Sequence, residues 1–561
     1  MNSLGIAAVS CLALYLGYLF YGRFMARLWD LDPNRKTPAM EAADGVDYIP
    51  ARHWTVLFGH HFASIAGAAP IVGPAIACAV WGWLPALLWI VIGSIFMGAV
   101  HDFSSLMASL RARGRSIADI AEENLGHRVR LIFGGFLWLA LILVVAVFAH
   151  LGAQTLTTMP QVVLPTLGVI VAAILLGIMM YRWHLPQWIA TVIGLVLLFG
   201  FIVLGYFVPI TLPFGSEHAN ALAWTAILLV YAYFASITPV NLLLQPRDYL
   251  STFVLYLGLG AGYLGLVLTH PNLQAPPVQQ FSGSLGPLWP MLFVTIACGA
   301  ISGFHSLIAS GTTSKQLASE ADATRIGYGA MIVEAALGVL AIMAVCAGLH
   351  WGTGDDTYTS LLANKGPLVT FANGFANLTR PLLGPLGALV AITVLKTFVM
   401  TTLDSATRIT RYIGEELFGQ GMGIKQLRNR FVSTAIIIAL AFYLALGPWE
   451  IIWPLFASAN QLIAGLTLVV VTVVLWRRRR PTVYTLVPAV FVLATTAGAL
   501  VYQTKSFLST GKVALAVISI ALLVLALLMV FESVWRVLSG RSAPPAQAPA
   551  TGEGGDPQHR T

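Results

Sequence analysis

Apolar runs of about twenty residues recur fifteen times along this 561-residue chain. They lie at 3–22, 56–80, 84–110, 131–156, 161–181, 187–210, 222–244, 251–270, 288–310, 326–349, 383–404, 431–447, 450–475, 482–502 and 513–535. A helix of that length crosses the hydrocarbon core of a bilayer, and helices satisfy their own backbone there. Hydrophobic residues make up 58% of the chain and charged residues 10%, too few charges to cover a water-exposed surface of this size. The pattern predicts an all-α polytopic membrane protein with about fifteen transmembrane helices. A further stretch, 357–378, is expected to dip into the bilayer without crossing.

The basic residues orient these spans. With the N-terminus outside and strict alternation, 26 of the 31 Lys and Arg fall on the cytoplasmic side. Lys365, Arg380, Lys505 and Lys512 fall outside, and Lys396 lies within a span. This is a positive-inside distribution, so the net charge of +8 sets orientation and does not imply nucleic acid. The start, "MNSLGIAAVSCLALYLGYLFYGRF", has no charged n-region and reads as a retained first span. The Pro/Gly/Ala-rich tail, 536–561, reads as disordered and cytoplasmic. Cys11, Cys78, Cys298 and Cys346 sit in apolar runs without metal-ligand or redox spacing. With no P-loop, HExxH, GxSxG or dinucleotide fingerprint, neither cofactor, metal nor enzyme chemistry is expected, and energy must come from an ion gradient.

Two spans carry helix breakers in mid-run. In "HHFASIAGAAPIVGPAIA", Pro70 removes a donor and frees the carbonyl of Ala66, and Gly67 and Gly73 permit close approach. An ordinary proline kink is the plainer reading. A second run, "ILLVYAYFASITPVNLLLQPRDY", is interrupted at Pro239 beside Ser236, Thr238 and Asn241, and runs in the opposite direction. Two broken helices in oppositely oriented sets point to an inverted-repeat transporter with its binding site at the breaks. The expected organisation is an extra helix at 1–22, a cytoplasmic loop at 23–55, five-helix repeats at 56–210 and 211–404, and accessory helices at 405–535. Ser64, Gly67, Ala68, Pro70, Gly73, Ser236, Thr238 and Asn241 are the expected substrate contacts.

Ionisable groups inside a membrane are costly and are functional candidates. "ISGFHSLIASGTTSKQ" puts Ser302, His305 and Ser306 on one helical face, with Ser310 beyond. His305 could carry a proton near neutral pH, or merely donate to a neighbouring carbonyl. Lys396 could be a second proton carrier, an anion partner or a snorkelling residue. Asp404 is expected to cap the basic segment after it, and Glu334 to meet a basic group. At most one of His60 and His61 can face the site, so His61 is a further candidate. Asp102 is expected to pair with Arg111 or Arg113. Sodium drive through Ser306, Ser310 and carbonyls near Ala66 is the competing reading.

"RHWTVLFGHHFASIAGAAPIVGPAIA", "ACGAISGFHSLIASGTTSKQLASEADATRIGYGAMIVE", "TTLDSATRI" and "WPLFASANQLIAGL" together resemble the carbon starvation protein A family of bacterial inner-membrane transporters. The resemblance runs from about residue 3 to residue 535. It implies transport of short peptides or pyruvate, by proton symport, through a LeuT-like core related to the amino acid–polyamine–organocation superfamily. It also implies a separate C-terminal unit at roughly 330–475. The implied setting is the bacterial inner membrane, with a periplasmic N-terminus and a cytoplasmic C-terminus. A sodium-coupled symporter of peptides or amino acids and a transporter-like nutrient sensor are the alternatives.

Overall fold

The computed structural model describes residues 1–43, 48–51, 53–183, 185–238, 244–352, 354–447 and 449–539. Among these the chain is mostly helical, and its β-structure is confined to two isolated bridges and one small hairpin, Ser282–Gly283 paired with Gly286–Pro287. Among the described residues twelve helices are long and apolar enough to cross a membrane, or thirteen if the bent pair Trp54–Ile65 and Ala69–Trp81 forms one span. The chain is a polytopic all-α membrane protein.

Two of the fifteen expected spans are not formed by one long helix. The run at 431–447 forms only the sixteen-residue helix Arg430–Ala445. The run at 288–310 is divided into Leu288–Thr295, Ala297–Ala300 and Gly303–Gly311, with Ile301 and Ser302 fully extended between the last two. The runs at 222–244 and 251–270 are instead the helices Glu217–Ile237 and Leu244–Thr269, so the breakers around Pro239 separate two spans. Pro239 and Asn241 themselves lie outside the described residues.

The stretch expected to dip forms Tyr358–Leu383, interrupted at Gly366, whose φ of 79° suits a residue without Cβ. Gly366 faces Gln154, Gly374 the backbone of Ala344, and Leu378 the backbone of Gly265. Each of those three partners lies within the last turn or so of its own helix. The limb after Gly366 thus packs along the final turns of three neighbouring helices.

His127–Thr158, with 32 residues, is the central post. It packs against Gly387–Gly414, Glu217–Ile237, Arg430–Ala445 and Trp449–Arg477. Around it the broken helices approach their neighbours backbone to backbone. A Cβ on Gly98 would lie 2.3 Å from the carbonyl of Ala300, and one on Gly303 would lie 2.3 Å from the carbonyl of Asn460.

Candidate functional site

The first break is short. Trp54–Ile65 ends at Ala66, whose ψ of 69° leaves the helical region, and Ala68 starts Ala69–Trp81 at a 45° bend. Gly67 turns the chain by donating its N–H to the carbonyl of Ile65 at 2.8 Å. Pro70 sits in the first turn of the new helix, where a missing donor costs nothing.

Against this break lies the second discontinuous segment. Its extended residues are held by Asn460, which reaches in from Trp449–Arg477. Asn460 Oδ1 accepts the N–H of Phe304 at 3.0 Å, and its amide donates to Ser302 Oγ at 3.1 Å and to Cys298 Sγ at 3.0 Å. On the other side Ser94 Oγ donates to the carbonyl of Gly299 at 3.1 Å. Freed backbone groups in hydrocarbon must find such partners, and here other helices supply them.

Where the two segments meet, three helices converge on His305. Its Nδ1 lies 2.8 Å from Asp102 Oδ2, and its Nε2 lies 3.3 Å from Glu334 Oε2. Asp102 Oδ1 meets His101 Nδ1 at 2.7 Å. All four side chains are buried, and among the described residues no Lys or Arg pairs with either acid. The carbonyl of Ile65, at the last turn before the break, faces the same imidazole. One turn back, His61 bonds Thr313 Oγ1 at 2.8 Å, tying the first half-helix to the end of the His305 segment.

Several expectations are corrected here. Asp102 does not pair with Arg111, which instead grips Glu320 through its two terminal guanidinium nitrogens. Ser302, Ser306 and Ser310 do not flank His305. Ser302 bonds Asn460, Ser306 bonds its own turn and Thr467, and Ser310 donates to the carbonyl of Ser306 while accepting the N–H of Ile117. Ser302 is the residue before Gly303–Gly311, so the face predicted from continuous helical spacing is cut. Ser64 Oγ bonds its own helix at the carbonyl of His60, 2.8 Å away. Gly73 serves close packing, since a Cβ there would lie 2.5 Å from the carbonyl of Thr295.

Ser236 and Thr238 stand at the end of Glu217–Ile237 rather than at a break within it. Arg411 reaches Ser236 and Arg408 takes the carbonyls of Ala235 and Thr238. Asp404 does not cap the segment after it. It forms a buried ion pair with Arg247 and accepts from Tyr231 Oη at 2.8 Å. Lys396 is apart from Asp404, as its spacing predicts, and donates to the carbonyl of Gly152 at 2.6 Å. Arg247, Tyr231 and Asn460 were not legible as partners, because each meets its counterpart across more than 150 residues or from a neighbouring span.

The model of the family described as carbon starvation protein CstA matches residues 2–353 and 353–499. The chain belongs to that family. Its similar relatives include the peptide transporter CstA of Campylobacter jejuni, 34% identical over 92% of this chain and 82% of the relative. The peptide transporter CstA of Escherichia coli is 34% identical, over 86% and 78%. The pyruvate/proton symporter BtsT of Escherichia coli is also 34% identical, over 89% and 81%. The four stretches that carry the resemblance to the carbon starvation family converge in space. They supply the first break, the His305 segment with Glu334, the Asp404 helix, and the Asn460 prop.

Proposed function

We propose that this chain is a secondary active transporter that imports a small carboxylate-bearing nutrient, pyruvate or a short peptide, by proton symport. The observation that carries the reading is His305 held between Asp102 and Glu334 against the broken helix. Two carboxylates buried in hydrocarbon without Lys or Arg are costly unless they share protons with their neighbours. A cluster of that kind is a proton-binding element, and its contact with Ile65 couples proton occupancy to the break. The names of the relatives support peptides or pyruvate as cargo and a proton as the coupling ion. Sodium drive through Ser306 and Ser310 is the competing reading, and the gradient test below separates the two.

The finer architecture belongs to the same reading. An inverted repeat is proposed in which the broken helix and its continuous partner at 54–111 correspond to those at 288–347. Under positive-inside alternation these pairs run in opposite directions. The break at 288–311 thereby replaces the one expected at 222–244. The setting is a bacterial inner membrane, with the N-terminus periplasmic and the C-terminus cytoplasmic.

The test is uptake into proteoliposomes under imposed gradients. Accumulation of pyruvate or a dipeptide should follow an inward proton gradient. His305→Gln should abolish that accumulation while substrate exchange remains measurable. Uptake that follows sodium and ignores protons would overturn the reading.

A further inference from the structure

Residues 477–480 are four consecutive arginines in the turn between Trp449–Arg477 and Val483–Ser509. The turn lies against the end of the first span, Ser3–Leu28, because Arg480 reaches the carboxylate of Asp30 at 3.5 Å. Asp30 is shared with Arg35 at 3.8 Å, and Arg35 also faces Glu320, which Arg111 already grips. Asp32, whose N–H bonds Glu320, turns its carboxylate to the N–H of Asn34. Arg478 stands among Arg111, Arg35 and Arg480, with Asp30 as the acid beside it. Burial and those three guanidiniums hold its pKa below the usual arginine value. Among the described residues Arg27, Arg477, Arg478 and Arg479 form no ion pair.

Beneath this cluster the first span and Val483–Ser509 both pack on Trp83–Arg111. On one side a Cβ at Gly17 would lie 2.7 Å from Ile95, and the rings of Tyr21 and Phe96 meet with centroids 5.0 Å apart. On the other side Phe491 meets Trp89 at 5.8 Å. The two outer helices touch each other where Phe24 meets Tyr484, at 4.6 Å between centroids.

Between those ring contacts the outer helices part. Val487 shares a helix face with Tyr484 and Phe491, three residues after one and four before the other. Both of those rings are packed, yet Val487 is 58% exposed. Ile92 and Phe96, on the helix in the middle, are 49% and 45% exposed, and Phe20 is exposed on the first span. An apolar recess therefore runs from the arginine cluster into the bilayer, with Ile92 and Phe96 as its floor. Tyr21 and Tyr484 stand at its mouth, as aromatic residues do at headgroup level.

Arginines clustered at a membrane surface attract anionic headgroups, and an apolar recess accepts an acyl chain. Positive-inside orientation accounts for basic residues at this end of the bundle, but it does not call for a recess beneath them. We infer that the two features form a binding site for one anionic phospholipid, its phosphodiester on Arg478 and Arg479 and an acyl chain over Ile92, Phe96 and Val487. Under the orientation proposed above, the site belongs to the cytoplasmic leaflet. Free phosphate would leave the recess empty, and a zwitterionic phospholipid would bring its own cation to the arginines. The bound lipid bridges the N-terminal span and Val483–Ser509 across the helix that carries Asp102. The inference is independent of cargo and coupling ion.

The experiment is native mass spectrometry of the full chain, purified in detergent and titrated with phosphatidylglycerol, phosphatidylcholine or soluble glycerol 3-phosphate. Phosphatidylglycerol should bind at least about fivefold more tightly than phosphatidylcholine, and glycerol 3-phosphate should not displace it. Arg478→Gln and Arg479→Gln should each weaken phosphatidylglycerol by about fivefold, as the loss of one basic residue at a membrane surface implies. Arg478→Lys, which keeps the charge, should retain most of the binding. Val487→Trp fills the recess and should weaken phosphatidylglycerol with every arginine in place. Lys505→Gln removes a basic residue near the other end of the same helix and should change nothing. Thermal unfolding in phosphatidylcholine shows that each variant is folded, and Arg479→Gln decides the matter if Arg478→Gln is not. Equal binding of the two lipids, or unchanged phosphatidylglycerol binding in the folded arginine variants or in Val487→Trp, overturns the inference. Displacement by glycerol 3-phosphate also overturns it, because the arginines would then hold a free phosphate and not a lipid.

Discussion

His305 Nδ1 meets Asp102 Oδ2 at 2.8 Å, joining two side chains 203 residues apart at the face of a broken helix. The contact ties the segment Gly303–Gly311 to Ala99–Arg111 through a polar bond in an otherwise apolar core. Asp102→Asn keeps the shape and removes the charge. The variant should lose proton-driven accumulation by at least about tenfold and keep substrate exchange, as measured in paired uptake and exchange assays on one preparation.

The Arg247–Asp404 pair makes a separate prediction. Both side chains are fully buried, so removing one partner leaves an uncompensated charge. Arg247→Met should cost about 3–5 kcal/mol. The double variant with Asp404→Leu should recover part of that loss, because both charges then leave together. Thermal unfolding in detergent reads the difference.

Gly98→Ala should destabilise by about 1–3 kcal/mol, since its Cβ would press on the carbonyl of Ala300 and backbone cannot yield cheaply. Gly5→Ala is the matched control. Among the described residues nothing lies within 4 Å of a Cβ at residue 5, and the change should stay within about 0.5 kcal/mol.

Asn460→Ala strips the acceptor from the N–H of Phe304 and the donor from Ser302. Each buried group left unsatisfied costs about 1–3 kcal/mol. Hydrogen exchange should accelerate at residues 303–307, while exchange in the distant helix Val483–Ser509 should be unchanged.

Topology gives a fifth prediction. A cysteine placed within 111–130 should react with an impermeant thiol reagent added from the cytoplasmic side. Reaction from the periplasmic side would invert every span after it.

The break at Ala66–Ala68 was legible because its cause is local. Pro70 cannot donate, and Gly67 stands three residues before it. The break at Ile301–Ser302 was not legible. No proline marks it, and the groups that satisfy it come from Asn460, 158 residues later, and Ser94, 205 residues earlier. His305 could be chosen by residue type, since a histidine in an apolar run is conspicuous. Its neighbours could not, because helix periodicity says which residues share a face and nothing about which helices meet. The same limit misplaced Ser302 and Ser306. Their spacing assumed an unbroken helix, and once Ser302 left it the shared face dissolved. The spans were only partly legible for related reasons, since apolar length alone does not separate one continuous helix from the short Arg430–Ala445 or the divided 288–311.

The two halves of the first broken helix are clamped by different neighbours. Gly59 and His61 are tied to Thr252 and Thr313. Ala75 is tied to Tyr358, and Gly73 is pressed on Thr295. Each half therefore behaves as a stiff rod, and bending between them falls on three peptide links, which act as a hinge. The rod Trp54–Ile65 has twelve residues, or about 18 Å of length. A turn of ten degrees at its end near Ile65 sweeps Trp54 through about 3 Å. The same geometry would turn a small rotation at the break into a displacement about the width of a water molecule at the far tip.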